Sequence, residues 1–490
     1  MRRRASQLWP QRWRSMRLAA RIIVSKEPIL VKACGEVGMH IRRYLSFSIL
    51  LMLWAICLSC GANYRLPIIQ IPGNPGDPKL YHFAMTISTD NSNGVNSPGS
   101  IMQIDVSGDV NVGQAALGRG PVHAALLPGG ANNRIYTANA VENTVSTITA
   151  AQLCGGQQIC PMGTMTTITM PSSYTPSFLH STESAKMYVI LTPVDPNATA
   201  PSIGVIDALR QVLAPQIDLP LHSDPQWMAE IPNGHKLYVL DKANSVVYVI
   251  DTVSRQIVQT LTVGAGPFMA TTSPDSSAVF VLGTAGVTVI DANTDTILNP
   301  SPLPIPGMAD SISYDKKLNR LYFTDKEGDL EIYDAAVAPG NLPVPVAALK
   351  IPAQNAAICP SQPTSNCTSL MGVTSLPDGS RVYALSMTFA TGAPNTWTPT
   401  LTPVDSLSVT VKSAINLTTA AEVTSPCGTA RFRFMVGASG GSERVYVSSC
   451  DFAGTYILQT FDNTEVQPVP SPLSSKPPAF QNPMFMITGR

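Results

Sequence analysis

KLYVLDKANSVVYVIDTVSRQIVQTLTVGAGPFMATTSPDSSAVFVLGTAGVTVIDANTDTI, residues 236–297, states one pattern twice. "YVID" ends at Asp251 and "VTVID" at Asp291, each after a short apolar run and before a Thr- or Asn-rich turn. Followed outward, the pattern becomes two ladders that fill the chain. The first is a basic or small residue, an aliphatic and an aromatic, closing at Tyr81, Tyr136, Tyr188, Tyr238, Phe280, Tyr322, Tyr383 and Tyr446. The second is an apolar run closed by Asp105, Asp207, Asp251, Asp291, Asp334, Asp405 and Asp462, with Thr149 in the missing place. The ladders alternate without a skip, so the duplication is global.

Each unit reads as four short strands separated by turn residues, as in "PQWMAEI", "KLYVLD", "VVYVID" and "QIVQTLTV" of the fourth unit. The Asp ending the third strand can cap backbone N–H groups of the following turn, which makes it structural and not catalytic. The aromatics are expected to pack between neighbouring sheets. Four-stranded units at periods near 40 predict an all-β fold, a β-propeller. The ladders count eight blades; seven stays open if the degenerate first or seventh unit is not a blade. A propeller must close its ring or expose an edge. "QNPMFMITGR" aligns with "AGPFMATTSP" of the fifth unit, so 483–488 is expected to supply the inner strand of the first blade, with "LPIIQI" (66–71) as the competing segment.

"RIYTANAVENTVSTI", "KLYVLDKANSVVYVIDTVSRQIV" and "GAGPFMATTSPDSSAVFVL" resemble the YVTN family of β-propeller repeats. The resemblance covers residues 79–488 and is strongest in the fourth to sixth units. It implies the repeat architecture and a surface or envelope protein, and says little about activity.

The remaining composition bounds the class. Of 490 residues 44% are hydrophobic and 13% charged, with 42 prolines and 34 glycines, which suits a turn-rich β protein. Residues 1–59 hold 11 of the 32 basic and 2 of the 32 acidic residues, leaving 21 against 30 in the remainder, a net of −9. That balance offers no basic stripe for nucleic acid.

"MHIRRYLSFSILLMLWAICLSCG" reads as an export signal over 39–59, with Arg42 and Arg43 ahead of an apolar run short for a bilayer span. Its end resembles a bacterial lipobox with Cys60 as the lipidated residue; a single N-terminal membrane anchor and plain secretion are the alternatives. Residues 1–38 are expected to precede the true start at Met39, and 60–78 to link anchor and propeller. Six further cysteines fall in local pairs, Cys154 with Cys160, Cys359 with Cys367 and Cys427 with Cys450. Such pairs read as disulfides of an oxidising compartment.

In a propeller the loop leading into each blade shares one face with the turn between its second and third strands. Those turns are long in units one, three and seven, and a ligand-binding face is expected there, with His123, His180, His222, Asp224, Trp227 and Trp397 as its candidate residues. The three histidines sit in different registers after or before their blade's leading proline, so they do not define a metal site. No nucleophile elbow or phosphate loop occurs, and no catalytic residue, metal or cofactor is expected. "NAT", "NCT" and "NLT" at Asn197, Asn366 and Asn416 are glycan acceptors only in a host that uses them. The expected function is a non-catalytic, lipid-anchored envelope scaffold binding a protein or carbohydrate. The alternative is a lactonase-like or metal-dependent propeller enzyme with its site at the axial mouth.

Overall fold

The structure is a computed structural model that describes residues 83–488, apart from 90–97, 107, 128–133, 155–157, 183–184, 306–308, 336–339, 352–358, 360–362, 423–431, 433 and 473–480. The expected leader, signal, Cys60 and the "LPIIQI" segment lie outside the described residues.

Eight antiparallel sheets of at least four strands follow one another along the chain as the blades of a β-propeller. Blade four is typical: Pro225–Glu230, Lys236–Asp241, Val246–Asp251 and Gln256–Thr262, each paired with the next. Its first and second strands are mostly buried, whereas the fourth alternates and faces outward. Closure is as expected: Asn482–Thr488 pairs antiparallel with Phe83–Thr89, so the C-terminal strand is the innermost of blade one.

The apolar core is divided among the junctions between blades. Eight buried clusters occur among the described residues, one per junction, and each aromatic of the ladder from Tyr136 to Tyr446 belongs to one of them. Junction four–five, for example, buries Tyr238 and Val249 against Val279, Val281 and Ile290. This follows from patterning: strands apolar on both sides must be covered by a sheet on either side.

The Asp ladder caps its turns. Asp207 Oδ1 accepts from the amides of Leu209 and Arg210, both at 2.9 Å, and Asp251, Asp291 and Asp405 repeat the arrangement. Blade eight differs from expectation. Its third strand ends at Gln459, opposite Arg444, and Asp462 sits inside the turn, accepting from the Thr464 amide at 3.0 Å. Blade seven departs further. The stretch "MTFATGAPNTWTPT" does not form a long loop but two ten-residue arms, Arg381–Ala390 and Thr396–Asp405, paired throughout. Three short outer strands, 410–411, 415–416 and 420–421, pair with the second arm.

Candidate functional site

We call the face bearing the loops into the blades and the second-to-third turns the upper face, and the opposite face the lower. An innermost strand has one edge hydrogen-bonded within its own blade; the other faces the axis and needs partners of its own. Three of the candidate residues supply them. His123 Nδ1 accepts from the Leu179 amide of blade three at 3.1 Å. His180 Nε2 accepts from the Glu230 amide of blade four at 3.0 Å. Trp227 Nε1 donates to the Ala270 carbonyl of blade five at 3.0 Å. Each side chain therefore stitches its blade to the inner strand of the next.

The same residues help to fill the axis. Phe485, His123, Phe178 and Trp227, from blades one to four, contact in series with ring centroids 4.0, 4.1 and 4.7 Å apart. Phe432, on the segment leading to blade eight, reaches across to Phe485 at 4.8 Å, His123 at 5.2 Å and Trp227 at 6.3 Å. The imidazole of His180 is enclosed although part of the residue reaches solvent, and burial lowers its pKa to about 4. It is neutral at neutral pH, as an acceptor must be.

The other candidates lie apart from this plug. His222 is exposed with φ of 66° in the loop before blade four, and exposed Asp224 accepts from Gln226 Nε2 at 2.6 Å. Trp397 is fully buried. Its ring packs on Phe389 and Phe434 and its Nε1 donates to Glu422 Oε1 at 3.3 Å, which places it in the core of blades seven and eight and off any ligand-binding surface. Among the described residues no group of three or more His, Cys, Asp or Glu side chains could hold a metal ion. The structure thus brings His123 and Trp227 into one aromatic cluster and does not assemble the six candidates into a site.

The cysteines are placed unevenly. Cys359 and Cys367 form a disulfide with a Cα–Cα distance of 5.0 Å, stapling the approach to blade seven, where the Cys359 amide also donates to Ser369 Oγ at 2.7 Å. Cys160 is disulfide-bonded and lies on the hairpin 152–154/158–160 inserted into blade two; the side chain of Cys154, its expected partner, lies outside the described residues. Cys450 is buried just after the second strand of blade eight, and Cys427 lies outside the described residues.

The feature that sequence reading missed is on the lower face. Among the described residues, the basic residue two positions before each ladder tyrosine from Tyr136 to Tyr446 crosses to the next blade and donates to the turn after its third strand. Arg134 Nη1 reaches the Ala208 carbonyl at 3.0 Å, Lys186 Nζ the Thr252 carbonyl at 3.2 Å and Lys236 Nζ the Ala292 carbonyl at 2.8 Å. Arg320 bonds the Ser406 carbonyl, and Arg381 Nη1 the Thr460 carbonyl at 2.6 Å. Arg444 completes the series with a buried two-pronged ion pair to Asp109, 2.8 Å for both Nε–Oδ1 and Nη2–Oδ2. The tyrosine joins in at Tyr238–Asp295 and Tyr383–Asn463, both 2.9 Å.

Junction five–six has no such rung. Ala278 stands opposite Asp291 in the register that Lys236 holds opposite Asp251, and Phe280 stands in the place of the tyrosine. The receiving turn of blade six is also longer: Asp334 and the next strand's Val344 are ten residues apart, against five from Asp251 to Gln256. A cleft of about 570 Å³ opens there, lined by Asp275, Ala278, Phe280, Tyr314, Ala335 and Asn341, with others. "AVF" in a ladder of Lys or Arg, and the ten-residue spacing, are the signals that were visible in the sequence.

The cleft is electronegative. Hydrogen bonds from Ser273 at 2.6 Å and Ser277 at 2.7 Å to Asp275 Oδ1 hold that carboxyl below the usual carboxylate range, against an opposing effect of burial. Burial, and then the charges of Asp275, Asp315 and Asp334, push the Tyr314 hydroxyl up to about 12.

No protein-family model matches the chain, and no curated protein matches it in sequence. Among solved structures, dihydro-heme d1 dehydrogenase NirN in complex with DHE is similar with a TM-score of 0.56 and 13% identity, over 85% of this chain and 78% of that one. Apo AztD from Citrobacter koseri is similar with a TM-score of 0.54 and 11% identity, over 84% and 98%. At these identities the likeness is one of fold. The chain is an eight-bladed β-propeller.

Proposed function

We propose that the protein is an exported, lipid-anchored scaffold of the bacterial cell envelope that binds a protein or carbohydrate through its upper face, without catalysis. The observation that carries this reading is the use of the axial side chains. His123, His180 and Trp227, the polar groups best placed for chemistry at the mouth, are engaged in stitching inner strands, and His123 and Trp227 are also packed against aromatic rings. The paired arms of blade seven and the disulfide beside their tip, where Cys367 pairs with Phe389, supply a rigid upper surface, the kind of element on which recognition loops are carried. The YVTN-like repeats support the envelope assignment, with Cys60 as the lipidated residue and Cys427–Cys450 as a further disulfide. The haem-related chemistry in the name of one structural neighbour is not extended to this chain at 13% identity.

Intact mass of the full-length chain expressed in a bacterial host tests the anchor. A mature protein beginning at Cys60, carrying acyl mass and gaining six hydrogens on reduction, is the expected result. One beginning at Met1 or Met39, unlipidated and with reduced thiols, removes the support for an envelope scaffold. The binding face is tested by screening glycans and envelope proteins against the wild type and a variant with the exposed tip residues 391–394 replaced by glycine and serine. A ligand held equally by both would move the site off blade seven.

A further inference from the structure

We propose that the cleft between blades five and six is a receptor site for a lysine or arginine side chain presented by a partner protein. The proposal concerns the lower face and does not depend on the upper-face reading. It rests on the six junctions in which the chain fills the equivalent space itself. At each, an ammonium or guanidinium group on an aliphatic stem runs past the ladder tyrosine and ends on the third-to-fourth turn of the next blade.

At junction five–six the receiving half is kept and the donating half is gone. The turn still packs as the others do: the Ala335 amide donates to the Asn319 carbonyl at 2.8 Å, as the Ala292 amide does to Ser277 and the Thr252 amide to His235. Ala335 lines the cleft, and its carbonyl, counterpart of the Ala292 and Thr252 carbonyls that accept lysines, accepts no hydrogen bond from the described residues. Two further features suit the missing group. Asp275 stays ionised and makes its hydrogen bonds through Oδ1, which leaves Oδ2 for an incoming cation. Phe280 and Tyr314, 5.9 Å apart and tilted by 35°, form an aromatic wall against which an aliphatic stem can lie and a cation is attracted. Gly340 and Asn341, from the longer turn of blade six, also line the cleft.

The choice of a cation over a neutral polar ligand follows from the donor and acceptor balance. A carboxylate oxygen and a backbone carbonyl can only accept, and a group with several donors and a positive charge satisfies both with charge-assisted bonds. A partner's side chain is favoured over a free amine because the stem length, wall and acceptor all match a residue of a polypeptide, as the other junctions show.

The test is a methyl NMR titration of the full-length protein labelled at alanine methyls, with N-acetyl-arginine amide and N-acetyl-lysine amide as probes and N-acetyl-citrulline amide as the neutral control. Saturable shifts at Ala278 and Ala335 are expected in roughly the millimolar range, the affinity of one isolated side chain. Citrulline should bind at least about tenfold more weakly. Asp275→Asn, a change in an exposed turn, should weaken the arginine probe by a similar factor. Ala278→Lys should abolish binding by filling the cleft from within, with a melting curve recorded to establish that it is folded. No shift at these methyls, equal shifts with citrulline, or undiminished binding to folded Ala278→Lys would each overturn the proposal.

Discussion

Junctions four–five and five–six share blade five and differ in how its two sides are used. On one side blade five receives: Lys236 and Tyr238 of blade four end on its Ala292 and Asp295, and the space is filled. On the other it should donate, but Ala278 and Phe280 stop short and a cleft remains. Both junctions bury an apolar layer, with Val279 and Val281 in one and Leu282, Val289, Leu321 and Phe323 in the other. The difference teaches that apolar burial sets the stacking of the blades, whereas the cationic rung closes their outer lower edge. A rung can therefore be absent without loss of the ring, and the vacated space becomes available for another use.

If rungs contribute in proportion to their burial, the largest loss belongs to Arg444. Its partner Asp109 and the arginine side chain are each 10% exposed, and removing one member of a buried pair leaves the other charge uncompensated. Arg444→Met is expected to cost about 3–5 kcal/mol, read as a fall in the urea midpoint. A loss below about 1 kcal/mol would mean that junction eight–one is held by its apolar layer alone.

The axial stitches should show a different signature, dependence on pH. His180 is neutral in the fold with a pKa of about 4, below the ordinary 6.5. The unfolded chain therefore binds more protons between these values, so stability falls as pH drops from about 6.5 to about 4. The full difference corresponds to about 3 kcal/mol. In His180→Gln this part of the acid sensitivity should vanish, leaving the contribution of the carboxylates. Parallel stability-versus-pH curves for the two proteins would contradict the assignment.

A smaller effect is expected at Lys236, which is partly exposed and shares its acceptors with Tyr238. Lys236→Met should cost about 2 kcal/mol, the range for hydrogen bonds to a charged group. The comparison is sharpest in reverse. Ala278→Lys together with Phe280→Tyr rebuilds the missing rung and should raise stability by about 1 kcal/mol, the net value of one hydrogen bond. If the double variant is less stable than the wild type, the longer turn of blade six does not present the Ala335 carbonyl as the other turns present theirs.

What the sequence disclosed followed from periodicity. The ladders carried the number of blades and the capping role of Asp207, Asp251, Asp291 and Asp405, because each depends on neighbours close in the chain; the closing strand was legible because its sequence repeats the inner-strand pattern of the fifth unit. The rungs were partly legible. Arg134, Lys186 and Lys236 stood in the ladder in plain sight, but their acceptors belong to the next repeat and only stacking reveals them. His123, His180 and Trp227 were singled out as unusual residues and assigned to a ligand face. Their stitching role depends on the unpaired axial edge of inner strands, which exists only in the closed ring. Trp397 was misplaced for a simpler reason: Gly, Pro and Asn around it read as a loop, while pairing of Thr396–Asp405 with Arg381–Ala390 continues to Ala390–Thr396.

The closing strand sets an order on synthesis. Seven of the sheets draw all their strands from neighbouring stretches and can form as the ribosome delivers them, but Phe83–Thr89 is made early and its partner Asn482–Thr488 comes some four hundred residues later. Joining such distant segments in a free chain would cost about 5 kcal/mol in loop entropy; blades already stacked in sequence bring the ends together in advance. All seven residues of Phe83–Thr89 are buried in the finished ring. Until Asn482 and its successors have been made, the nascent protein carries one bare strand edge beside its completed sheets.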